Sequence, residues 1–96
     1  MSATFKGELI LNNEAEKYFI FPRTNTFRIS LWIPGAQFST FAKIARDETM
    51  IIGKVLPVIV KYGDTSFWRE HLLKGAHFLI GVFAMEVGAG KIMEEL

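Results

Sequence analysis

Glycines ahead of a lysine are one way a chain cradles a phosphate, and Gly88-Ala89-Gly90-Lys91 has that composition. The spacing rules the chemistry out. With Lys91 as its lysine, a nucleotide-binding phosphate loop needs glycine where Met85 stands and a magnesium-binding hydroxyl where Ile92 stands. A dinucleotide fingerprint fails too, because Met93 occupies the place of its third glycine. Gly88 and Gly90 read instead as relief of crowding at a bent strand, and no nucleotide is expected.

The other reactive side chains are equally unarranged. His71 and His77, the only histidines, stand six residues apart across Gly75, whereas a two-histidine metal site on one helix needs three or four. Ser66, Thr65 and His71 supply hydroxyl and imidazole, but nothing presents the hydroxyl on a strained elbow. Glu70 and Glu86 are most simply solvated carboxylates. There is no cysteine, which removes thiolate chemistry, disulfides and cysteine-based zinc sites and suits a reducing compartment. The expectation is a non-enzymatic protein without catalytic residues, metal or cofactor.

Two binding chemistries remain. Arg23, Arg28, Lys43 and Arg46, with Trp32 on the arginine's side of its strand, could face RNA, the cations on phosphates and the indole as a stacking platform. The opposing reading makes the aromatics core and the arginines ordinary surface charge. Eleven Lys and Arg against ten Asp and Glu leave a net charge of +1, without the basic excess of a dedicated polyanion binder. Trp and Arg are also the residue types that anchor protein interfaces.

The elements that must position these residues read as strands. Residues 4–11 alternate apolar and polar, as do residues 27–33, where Phe27, Ile29, Leu31 and Ile33 share one face. Asn12, Asn13 and Glu14 signal a turn, and residues 18–21 a short strand stopped by Pro22. Residues 37–45 fit helix or strand, with an extended segment favoured. Residues 50–61 form a β-branched run that Gly53 and Pro57 should bulge or bend. A short helix is expected over residues 66–74, N-capped by Asp64 or Thr65 and closed by Gly75. Residues 78–87 are apolar on both parities, like a strand buried on both faces. Half the residues are hydrophobic, enough for one core in a single domain over residues 1–96. Such spacing means a small all-β barrel or sandwich. The first ten residues lack a signal-peptide pattern and residues 76–87 are too short to span a bilayer, so the expected setting is the cytoplasm, away from membrane.

Gly75-Ala76-His77-Phe78-Leu79-Ile80 and, after a short gap, Val87-Gly88-Ala89-Gly90-Lys91-Ile92 resemble the end of the C-terminal domain of elongation factor Tu. In that family a G-x-R-F-A-I strand leads through a turn into V-G-A-G-x-V, at the same separation. The resemblance covers roughly the last quarter of the chain. It implies a six-stranded antiparallel β-barrel without catalysis of its own. In the family this domain packs on the other domains, helps hold the T stem of aminoacyl-tRNA and contacts the exchange factor. The family's intervening R-E-G-G-R-T turn is here Gly81-Val82-Phe83-Ala84-Met85-Glu86, with Gly81 and Met85 in place of its arginines. The family's Pro-Gly-Asp turn is missing around Arg46-Asp47-Glu48, and residues 64–74 are longer than the matching connection. An apolar turn in place of a basic one favours a protein-interaction or self-assembly surface built from Trp68, Val82, Phe83 and Met85. The alternative is a translation-linked tRNA or RNA contact through Arg23, Arg28, Trp32, Lys43 and Arg46.

Overall fold

A computed structural model describes residues 2–18, 25–35, 37–63, 66–82 and 85–96. Six strands, β1 (Ser2–Leu11), β2 (Thr26–Trp32), β3 (Thr40–Ala45), β4 (Leu56–Gly63), β5 (His77–Val82) and β6 (Met85–Glu95), make up the fold. A 3-10 turn (Asn13–Lys17) follows β1, and a short helix, α1 (Ser66–His71), follows β4. The strands close into a barrel in the order β1, β4, β3, β2, β5, β6, and β6 returns to β1. Every neighbouring pair is antiparallel. Closure gives every strand two neighbours, so none of the six is a lone edge strand of the kind a small β protein otherwise has to protect. The β2–β5 seam is the short one, pairing only Ser30–Trp32 among the described residues.

Alternation decides what goes inside. In β4, Leu56, Val58, Val60 and Tyr62 are buried while Pro57, Ile59, Lys61 and Gly63 face out. In β1, Phe5, Leu9 and Leu11 point inward and Lys6, Glu8 and Ile10 outward. Phe27, Ile29 and Leu31 of β2, Ala42 and Ile44 of β3, Phe78 and Ile80 of β5 and Val87 and Ile92 of β6 complete one continuous core. Each fully buried side chain of this size contributes about 1.5–3 kcal/mol by leaving water. Phe5 is packed between Phe78 and Tyr62, with ring centroids 5.5 and 5.9 Å away.

Gly88 and Gly90 lie in the middle of β6, in unbroken strand pairing with both neighbours. A Cβ on Gly90 would overlap the Phe78 ring and the Glu8 carbonyl oxygen, so β5 and β1 can approach only a bare backbone there. The glycines serve packing, as their spacing suggests.

Several expectations are corrected. Residues 78–87 are not one strand: the chain folds back between β5 and β6, pairing Gly81 with Glu86 and Val82 with Met85. The fold-back needs Gly81, since a side chain there would strike the Met85 carbonyl oxygen. A turn at this place is what the family resemblance implies. The Asn12–Glu14 turn is drawn out into the 3-10 segment, with Asn12 accepting a hydrogen bond from the Glu14 amide at 2.9 Å. Tyr18 caps that segment, and the rest of the strand expected over residues 18–21 lies outside the described residues. The run over residues 50–61 becomes strand only at Leu56, because Gly53 (φ 82°) turns the chain first. Pro57 lies beyond Ile59, the last β4 residue paired to β3, so its missing N–H takes nothing from that ladder. The helix stops at His71 rather than continuing to Lys74. Gly75, at φ 87°, turns the chain and donates its N–H to the Ile92 carbonyl at 2.7 Å, which ties the connection to β6. For residues 37–45 the extended reading holds over β3.

Candidate functional site

Strand parity and strand register together line up three cations. Arg28, Lys43 and Lys61 are the outward residues of β2, β3 and β4. Register sets Arg28 opposite Lys43, and Lys43 opposite Lys61. Neighbouring strands run about 4.8 Å apart, so three positive charges cross the outer wall within roughly 10 Å. All three are exposed, and among the described residues no carboxylate forms an ion pair with any of them. Like charges directly opposite one another destabilise a sheet. At about 5 Å in water each adjacent pair repels by about 0.8 kcal/mol before screening. A fold gains nothing from such a row; an anionic partner does.

The surroundings of the row extend its chemistry. Phe41, opposite Ser30 and two residues from Lys43 on the same face, is 76% exposed, the most exposed large hydrophobic side chain among the described residues. One register step to the other side, Ile59 is flanked by Ala45 and by Lys6 of β1. By register the nearest carboxylates among the described residues are Glu94, opposite Lys6, on the Lys61 side and Glu86, opposite Gly81 and so beyond Ser30, on the Arg28 side, each two strands away. A flat cationic strip with an aromatic ring beside it can hold phosphates and offer a face for stacking.

Of the residues expected to contact RNA, Arg28 and Lys43 fall in the strip and Arg23 lies outside the described residues. Trp32 does not take part: it is 4% exposed and belongs to the core. Its strand ends there, so alternation no longer holds it outward, and Leu31 and Trp32 are both buried. Arg46 is also not in the strip. It follows β3 into the connection to β4, its main-chain N–H donating to the Asn25 carbonyl at 3.1 Å. Its side chain is only 10% exposed. Nη2 donates to Glu48 Oε2 at 3.0 Å, while Nη1 is buried with no hydrogen-bond partner among the described residues. An unmatched buried donor costs about 1–3 kcal/mol, and more on a charged group. Arg46 forms part of an open groove of about 560 Å³ shared with Lys6, Glu8, Pro57, Ile59 and Met93.

The expected protein-contact set is divided. Trp68 is buried, stacked edge-on against Phe38 with centroids 5.4 Å apart, so α1 packs its indole into the core and does not present it. Val82 and Met85, paired at the β5–β6 turn, are 50% and 61% exposed. Phe83 lies outside the described residues.

Lys61 and Phe41 were missed by sequence reasoning. Their outward parity is readable, but their place beside Arg28 and Lys43 depends on register. His71 and His77 lie on α1 and β5, and among the described residues no cluster of three or more His, Asp or Glu could hold a metal ion. Glu14, by hydrogen bond and then by charge, holds the Lys17 amine above its ordinary range, but this exposed 2.7 Å pair belongs to the 3-10 turn, not to the strip. No protein-family model matches the chain, and no curated protein matches it.

Proposed function

We propose that this barrel is a non-enzymatic RNA-binding module. Arg28, Lys43 and Lys61 hold successive phosphates, and Phe41 stacks an unpaired base. The observation that carries the reading is the three-cation row across β2, β3 and β4, to which no carboxylate among the described residues is paired. We take the module to be related to the C-terminal barrel of elongation factor Tu and to work in the cytoplasm. The support for that relationship is the resemblance over residues 75–80 and 87–92 together with the six-stranded antiparallel barrel. RNA contact would then run through the strand wall, since the β5–β6 turn carries Val82 and Met85. The test is an amide-shift titration of isotope-labelled protein with a short uridine oligonucleotide. Shifts confined to residues 26–30, 41–45 and 59–63 support the reading. Saturation without shifts there, or no binding at low salt, refutes it.

A second reading rests on Val82 and Met85, an exposed apolar pair that suits self-association through the β5–β6 turn. It predicts a concentration-dependent dimer by light scattering that Met85→Asp abolishes. A monomer at all concentrations removes it.

A further inference from the structure

One glycine is left unexplained by the fold. Gly63 ends β4 on the same outer face as Lys61. Its φ is not positive, and within 4 Å a Cβ there would meet only the Thr40 hydroxyl, at 3.3 Å. Each of the other seven glycines has either a positive φ or a backbone atom within 3.0 Å of where its Cβ would stand. No register shift interrupts the pairing of β4 to either neighbour, so Gly63 does not serve a bulge. A glycine in a strand costs backbone entropy and gives up a side-chain contact. Where geometry and packing do not demand one, close approach of a ligand to the backbone is the reason left.

The surroundings say which ligand. The register that sets Lys43 opposite Lys61 brings Phe41, two residues before the one, beside Gly63, two residues after the other. On its other side Phe41 stands opposite Ser30, a small residue, and its ring is 76% exposed. An open aromatic ring, a bare stretch of backbone and two lysines thus share one corner of the wall. We infer that Gly63 is the floor of a slot for one unpaired RNA base. The base lies on the Phe41 ring over the Gly63 backbone, with its phosphate on Lys43 or Lys61, and a side chain at Gly63 would stand in its place. Any base has a face to stack, so the slot selects an unpaired base without selecting its identity. This inference rests on the RNA-binding reading and adds the position of the base to it.

The test compares two probes by fluorescence anisotropy, a uridine hexanucleotide and an abasic ribose-phosphate chain of the same length. Wild type should bind the uridine chain at least about fivefold tighter, the gain from one modestly stacked base. Gly63→Val should erase that preference while leaving affinity for the abasic chain and the salt slope unchanged. It should also melt no lower than wild type, since valine suits a strand better than glycine. Phe41→Ala should erase the same preference, and the double variant should lose no more than either alone. Wild-type binding of neither chain would remove the RNA reading, and the slot with it. Where wild type binds, the slot alone is overturned if Gly63→Val keeps the uridine preference, weakens both chains equally or melts well below wild type.

Discussion

If the cationic row exists for a ligand, breaking it should stabilise the barrel while weakening binding. Lys43 is the place to break it, since register puts Arg28 on one side and Lys61 on the other. Lys43→Gln removes both adjacent repulsions and keeps a polar outward side chain. Each repulsion, about 0.8 kcal/mol in water at 5 Å, falls to about 0.5 kcal/mol with a screening length of about 10 Å at 0.1 M salt. The gain is therefore at most about 1 kcal/mol, and less to the extent that the side chains splay apart. In a domain of this size 1 kcal/mol moves Tm by about 4–8 °C. Thermal unfolding followed by circular dichroism at low salt should show Tm rising by a few degrees. At 1 M salt, where screening acts within about 3 Å, the difference should vanish. Lys54→Gln, at an exposed lysine away from the row, serves as the control. RNA affinity of Lys43→Gln should lose one phosphate contact, lowering the salt slope by about 0.7. A variant no more stable than wild type at low salt would refute the electrostatic reasoning.

Three other substitutions separate structure from surface. Gly90→Ala should destabilise by about 1–3 kcal/mol in urea unfolding, because its methyl group meets the Phe78 ring and the Glu8 carbonyl. Trp68→Ala should lose about 3–5 kcal/mol and much of the cooperative transition, as expected for a core side chain and not for a contact residue. Phe41→Ala should change stability by no more than about 0.5 kcal/mol, yet weaken RNA binding by about 1–3 kcal/mol measured by fluorescence anisotropy.

The strands were readable because several alternate cleanly, β2 and β4 each placing every second side chain inside along most of their length. Closure into a barrel rather than a sandwich was implied only by the family resemblance. Where alternation ends, the reading failed. Trp32 shares parity with Arg28 but sits at the last residue of β2, and its ring joins the core. Residues 78–87 offered no parity at all, because the run is two strands joined at a fold-back, one contributing Phe78 and Ile80 and the other Val87. Trp68 and Leu72 stand four apart, where α1 and the turn that follows it bury both, and composition alone did not distinguish a cover from a docking face. The cationic row shows the deeper limit. Parity within a strand is local, whereas the residue opposite Lys43 depends on which strands are neighbours and how they slide. Lys61 could therefore be predicted as exposed but not as the third member of a row. The unmatched Nη1 of Arg46 is still less legible, since it depends on where a single side chain ends.

Salt dependence of RNA binding tests the central claim most directly. Three phosphate contacts on a single strand give a slope of log affinity against log salt of about −2, so raising salt from 50 to 200 mM should weaken binding about 20-fold. In a protein carrying Arg28→Gln, Lys43→Gln and Lys61→Gln together, folded by its near-native circular dichroism, the slope should fall nearly to zero. A slope that survives the three substitutions, or wild-type binding indifferent to salt, would contradict the account.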